Sequence, residues 1–188
     1  MPWTRPGGAR ILLCMALRTA TVTDWAARFD LVGHEDALSA PEWDELGQAA
    51  WFLGRDADSV RAWERAQLRY LDDGDPGGAV RCAFWIGFTL GEQGETVRAR
   101  TWMAHMLSLC ERFAGDDRAD AFAALSGAHG AFLAGEAGAA VELYRAARAR
   151  AGATEPDIEV LALMGEGRSL LTTGRVAEGI RCMDESCC

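Results

Sequence analysis

The sequence predicts an all-α fold, a solenoid of stacked antiparallel helix pairs, and three observations predict it. Glycines recur at positions 54, 94, 135 and 174, at intervals of 40, 41 and 39 residues, and a fixed period in this range marks repeated helix pairs. Stronger turn signals fall between them: Gly74–Asp75–Pro76–Gly77–Gly78, Gly115–Asp116–Asp117 and Gly152–Ala153–Thr154–Glu155–Pro156. They separate segments of roughly 35 residues, too long for one ordinary helix and right for a helical hairpin. Within the segments apolar residues return at three- and four-residue steps, as in Trp43, Leu46, Gly47, Ala50 and again in Ala83, Ile86, Gly87, Leu90. That is the period of one helix face, and the alternation a strand requires does not persist.

Taken in order, residues 1–40 read as an N-terminal helical segment, a degenerate cap or partial repeat with one or two short helices. Asp24 is placed to cap the later of these, which carries Trp25 and Phe29, before a loop at Gly33–His34. The run ILLCMAL at 11–17 follows Arg5 and Arg10. It falls well short of the roughly 20 residues that cross a membrane. Its length suits a signal h-region, with Ala20 near a would-be cleavage site, but it also reads as one side of a short helix, and the chain beyond it lacks secreted character. Residues 41–188 then hold four hairpins, about 41–74, 79–114, 118–152 and 157–186. Their helices are expected at 42–53 and 57–72, 79–92 and 96–113, 118–133 and 137–151, and 157–172 and 176–185.

Composition narrows the function. The 188 residues are 49% hydrophobic and 25% charged, which suits one compact domain or one short solenoid. With 28 acidic against 19 basic residues, the chain carries a formal charge of -9 and would repel a phosphate backbone. Direct nucleic-acid binding by this chain is therefore not expected, nor is membrane association. Every basic residue is arginine, a sign of biased coding composition. Cysteines stand at 14, 82, 110, 182, 187 and 188. Their spacing fits neither a disulfide scaffold nor a zinc module. Three are expected in helices as small hydrophobes, and the terminal pair as exposed and oxidation-prone.

With the central glycines as turn positions, this organisation resembles the tetratricopeptide family. In the first repeat Trp43, Leu46–Gly47, Ala50, Trp63 and Ala66 match the family's signature positions, with Ala50 in place of its tyrosine. The second repeat offers Ala83, Ile86–Gly87, Leu90, Ala99, Met103 and Met106, and the third Ala124, Gly127–Ala128, Ala131, Ala140, Tyr144 and Ala147. The fourth offers Leu163, Glu166–Gly167, Leu170, Gly179 and Met183. Here Glu166 stands where a leucine is expected and Gly179 replaces a small alanine. The resemblance implies a right-handed tetratricopeptide-like helical-repeat solenoid. Small residues at Gly47, Gly87, Ala128 and Gly167 would let paired helices cross closely, with Trp63, Met103, Tyr144 and Met183 filling the remaining space. The phrases AAWFLGRDADSVRAWERA (49–66), RCAFWIGFTLGEQGE (81–95) and GRVAEGI near the end also resemble the repeat region of large actinobacterial LuxR-type transcriptional regulators. That similarity implies a regulatory or scaffolding segment. No DNA-reading helix pair is recognisable, and the last residues read as the second helix of a hairpin.

The residues that could carry chemistry have simpler roles. His34–Glu35 lacks the second histidine of a zinc-protease motif, and His105 sits beside the packing position Met106. Asp56, Asp116 and Asp117 lie where they can satisfy N–H groups at a helix start. GDPGG at 74–78 lacks the Lys–Ser/Thr of a phosphate loop and reads as an interhelical turn. Neither Ser126 nor Ser169 sits in a nucleophile elbow. Arg61, Arg65 and Arg69, and likewise Arg145 and Arg148, form helical stripes suited to surface pairing with interleaved acids. Trp51 and Phe52 are open between two roles, hairpin interface or exposed binding positions. The expectation is a protein that is not an enzyme and has no catalytic residue, metal or cofactor.

One constellation remains. The first-helix positions expected to line a concave groove are Asp44 and Gln48, Phe84 and Phe88, Leu125 and His129, then Met164 and Arg168. Polar ends flank an apolar middle, which suits an amphipathic helix or an extended peptide, unless Phe84 and Phe88 are buried against a preceding hairpin. The expected function is therefore a cytoplasmic protein–protein interaction or regulatory module, with self-association through its end repeats as a further expectation. The alternatives are a fragment or truncated relative of a LuxR-type regulator lacking its DNA-binding domain, and a small-ligand sensor.

Overall fold

The computed structural model describes residues 38–151 and 155–186. The expected N-terminal segment, with Cys14, Asp24, Trp25 and Phe29, and the final pair Cys187–Cys188 lie outside the described residues. The described residues form eight helices and no strand. These are α1 Ala40–Phe52, α2 Asp56–Asp72, α3 Pro76–Glu92, α4 Thr96–Arg112, α5 Asp117–Leu133, α6 Ala137–Ala151, α7 Pro156–Thr172 and α8 Val176–Glu185. Helices α1/α2, α3/α4 and α7/α8 pack as pairs, and the Gly135 turn joins α5 to α6, where His129 meets Tyr144, so the described residues form an all-α helical repeat with its turns where the glycine period places them. The chain divides into two compact units, and the division falls between Asp120 and Ala121, inside α5.

One device makes the turns. Gly54, Gly94, Gly135 and Gly174 have φ of 72°, 78°, 84° and 81°, in the left-handed region that costs a side-chain-bearing residue energy. At each, the glycine N–H donates to the carbonyl three residues back, and the next N–H reaches five residues back. For the first turn these are Gly54 to Trp51 at 3.0 Å and Arg55 to Ala50 at 2.8 Å. This double bond satisfies the orphan carbonyls of a helix end. The residue after each glycine, such as Arg55, Glu95 or Arg175, bonds back to the last turn of one helix and is the N-cap of the next.

The same turn joins α2 to α3 through Gly74 and Asp75, with Asp75 N–H donating to the Tyr70 carbonyl at 2.8 Å. Here the sequence expectation needs correction, because the second hairpin begins at Pro76 and not at 79. Proline is suited to a helix's first position, where it has no N–H to lose. Asp75 then caps the helix, its Oδ1 accepting from Gly78 N–H at 2.9 Å. Gly77 and Gly78 are thus buried helical residues, and a Cβ on Gly78 would stand 2.6 Å from the Tyr70 ring. Asp116 caps α5 in the expected way, accepting from Ala119 N–H at 2.9 Å. Asp56 lies inside the first turn of α2, whose N-cap is Arg55. At α1 the Glu42 carboxylate accepts from Ser39 N–H at 2.8 Å and from its hydroxyl at 2.6 Å. These bonds hold the Glu42 carboxyl below the usual range.

The first unit is cored by aromatic residues. Trp63 and Trp85 stack at 5.9 Å, and Trp51 lies 5.5 Å from Trp85. Trp51, 2% exposed, is therefore a hairpin-interface residue, while Phe52 at its edge is half-buried. Ring pairs of this kind contribute about 1 kcal/mol beyond their area. The second unit has a smaller core that includes Val141, Leu163, Leu170 and Cys182. Within pairs, close crossings occur as expected: a Cβ on Gly47 would meet the Trp63 ring at 2.7 Å, and one on Gly87 would meet Met103 Cε at 3.0 Å. In the fourth pair the backbones themselves meet. A Cβ on Gly179 would stand 2.8 Å from the Gly167 carbonyl oxygen, which explains why glycine replaces alanine there. The third pair differs, because the Tyr144 ring lies against Gly165 of the next hairpin.

Candidate functional site

The eight groove positions divide between the two units, Asp44, Gln48, Phe84 and Phe88 in the first, Leu125, His129, Met164 and Arg168 in the second. Three are corrected by their burial. Asp44, Phe84 and Leu125 are 9%, 6% and 3% exposed, so they belong to the interior and cannot line an open groove. Gln48, Phe88 and Met164 are half-buried, and His129 and Arg168 are exposed. In every helix the later residue of the pair, four positions on, is the more accessible one.

Asp44 is the centre of a buried polar network. Its carboxylate accepts from Trp63 Nε1 at 3.0 Å and from the Tyr70 hydroxyl at 3.3 Å, and it pairs with the Arg81 guanidinium of the next hairpin. Burial, with the Asp44 charge, drives the Tyr70 phenol well above its ordinary value. Burial likewise raises the Cys82 thiol. A buried charge needs such partners, and these fix how α1 sits on α2 and α3. Phe84 packs edge-on to Trp85 and stacks with Phe88 at 6.0 Å, leaving only the outer ring accessible.

In the second unit Glu166, 3% exposed, occupies the position where leucine was expected. It accepts from Arg145 Nε at 2.7 Å and Arg148 Nη1 at 3.4 Å, both on α6. The stripe of Arg145 and Arg148 is thus a hairpin-to-hairpin clamp. Arg61 pairs with Asp58 and Arg65 lies over Trp43 at 5.7 Å, as surface arginines commonly do. His105 is exposed and edge-on to Trp102 at 5.5 Å.

His129 and Arg168 of this unit meet two other side chains. His129 Nδ1 lies 3.3 Å from the Tyr144 hydroxyl, and the Arg168 guanidinium lies over Phe132 at 5.0 Å. Burial and the Arg168 charge both lower the His129 pKa, so the imidazole is neutral near pH 7. In the tautomer where Nδ1 accepts from the tyrosine hydroxyl, Nε2 carries the proton; in the other, Nδ1 donates to the tyrosine oxygen. Phe132 and Tyr144 were not among the expected groove residues. Tyr144 was legible only as a packing residue, and its hydroxyl is what ties it to the site.

No group of three or more His, Cys, Asp or Glu side chains among the described residues is disposed to hold a metal ion. No described helix is long and apolar enough to cross a membrane. The chain matches no protein-family model, no curated protein and no solved structure.

Proposed function

We propose that this chain is a non-enzymatic helical-repeat module of a cytoplasmic regulatory system. It binds a protein or peptide segment on the accessible ends of its first helices. The observation that carries the reading is the grading from Asp44 to Gln48, Phe84 to Phe88, Leu125 to His129 and Met164 to Arg168. The first three repeats bury the earlier residue, the fourth half-buries it, and in each the later one is more accessible, with chemistry that changes from amide to aromatic to imidazole to guanidinium. Within each unit, accessible side chains repeated at the period of the fold and varied in chemistry suit the reading of a short peptide segment. The likeness to tetratricopeptide proteins and to the repeats of LuxR-type regulators points the same way. Unpaired, buried Cys82, Cys110 and Cys182 fit a reducing compartment.

The test is a peptide-display selection against the intact chain, followed by titration of enriched peptides and mapping of backbone amide shifts. Saturable binding is expected with shifts around Gln48 and Phe88, weakened several-fold by Phe88→Ala, or around His129 and Arg168, weakened several-fold by Arg168→Gln. Phe84 is unsuited to this test because it is core. No saturable peptide, or shifts confined to α2, α4, α6 and α8, would overturn the reading.

A further inference from the structure

Of the six arginines at 121–188, three have carboxylate partners. Arg145 pairs with Glu142 and Glu166, Arg148 with Glu159 and Glu166, and Arg175 with Glu178. Arg168 has no carboxylate partner among the described residues, in a chain whose formal charge is -9. Phe132 supports its plane, which preorganises the guanidinium without consuming its donors. Beside it stand His129 and the Tyr144 hydroxyl, so three donor-bearing side chains from α5, α6 and α7 gather at one place. The charged and titratable groups facing His129 are Tyr144 from α6 and Arg168 from α7. Residues 125–133 of its own helix carry no other charged side chain.

We propose that His129, Tyr144 and Arg168 form a seat for one carboxylate of a bound acidic peptide, an inference that rests on the peptide-binding reading above. The donors match an oxyanion: a guanidinium presents a planar fork, and the neutral imidazole adds one N–H. One permanent cation balances the single charge of a carboxylate, whereas a phosphate dianion would leave a charge uncompensated. A bound carboxylate also replaces the positive neighbour of His129 with a paired one and favours imidazole protonation. Binding therefore takes up a proton, and affinity rises as pH falls from the bound-state pKa of His129 to its free-state value, then levels off.

The experiment follows the histidine ring protons of the intact chain by NMR as pH is varied, in chloride, acetate or inorganic phosphate at matched ionic strength. His129→Gln assigns the signal. Acetate is expected to raise the His129 midpoint, to leave that of His105 in place, and to lose its effect in Arg168→Gln. In the peptide arm, Arg168→Gln or a Glu→Gln change in a selected peptide should weaken binding about tenfold, the effect of losing one charge-assisted hydrogen bond. His129→Gln should flatten the pH dependence. Arg168 is exposed, so its variant should keep the wild-type circular dichroism and urea midpoint, which are measured alongside. An unmoved midpoint in acetate, or an equal response in Arg168→Gln, would overturn the seat even if peptides bind elsewhere. Saturation by phosphate at a tenfold lower concentration than acetate would overturn the carboxylate assignment. A response to acetate without any peptide binding would overturn the peptide as its source.

Discussion

Two buried carboxylates link neighbouring hairpins, and removing them should have unequal consequences. Asp44 faces Arg81, whose side chain is 11% exposed, together with two interior donors from Trp63 and Tyr70. Asp44→Ala takes the buried carboxylate away from Arg81 and orphans two donors in one step. Breaking a buried ion pair from one side costs 3–5 kcal/mol in comparable settings, and about 3 kcal/mol is the expectation here. With an m-value of about 2 kcal/mol/M, that is a fall of about 1.5 M in urea midpoint. Glu166 is as deeply buried, yet Arg145 and Arg148 are 40% and 31% exposed and can turn to water when it is removed. Glu166→Leu restores apolar burial at that position and should change stability by no more than about 1 kcal/mol. Five of the chain's seven tryptophans, Trp43, Trp51, Trp63, Trp85 and Trp102, lie in the unit that contains Asp44, so tryptophan fluorescence follows mainly its unfolding. Circular dichroism follows both units. A fall below 0.5 M for Asp44→Ala, or equal losses for the two variants, would refute the argument that partner exposure decides the cost. In a cycle with Arg81→Met, the double variant should lose less than the sum of the two single variants, because the two side chains share one ion pair.

Glycines sort by surroundings. Gly127→Ala, in a helix interior with open space around it, should gain about 0.5–1 kcal/mol. Gly179→Ala, facing a backbone oxygen at 2.8 Å, should lose about 1–3 kcal/mol or separate α7 from α8, both measurable by urea denaturation. For pH, the folded state depresses the His129 pKa from its ordinary 6.5. The unfolded chain therefore binds more protons, and stability falls as pH drops through 6.5 towards the folded-state value. His129→Gln should show a shallower loss between pH 7.5 and 5.5, and equal slopes would contradict the environment described. Cys110, with its thiol pushed up to about 11 by burial and nearby Asp120, should resist alkylation at pH 8 together with Cys82, and both should react in denaturant. Mass mapping reads this out.

Much of the fold is legible because its turns are written in single residues. The four central glycines occupy a backbone region that other residues avoid, so they mark each hairpin without help from tertiary structure. The pairing of Gly47 with Trp63 and of Gly87 with Met103 follows from the same register. The start of α3 was obscured because Pro76, Gly77 and Gly78 look like loop residues, whereas one begins a helix and Gly78 makes room for Tyr70. Ser39 and Glu42 form a Ser-x-x-Glu start signal that was available but not used. The site was less legible for a different reason. Four-residue spacing places Asp44 and Gln48 on one face, but depth along that face depends on the neighbouring hairpin. Asp44 is interior because Arg81, 37 residues away, reaches it. Likewise Glu166 looked like a lapse from an apolar pattern until the α6 arginines supplied its partners.

The three-residue turns have a consequence for how such a chain can change in length. Because Arg55, Glu95 and Arg175 each close one helix and open the next, one added or deleted residue there spoils two helix ends together. The joint at 113–116 is built differently, with the Asp116 side chain capping α5 and its N–H returning to the Phe113 carbonyl at 3.1 Å. Insertions should be tolerated in that joint and rejected in the tight ones. Growth or loss in this architecture is thereby confined to whole hairpins and to its looser seams, in steps and not by drift.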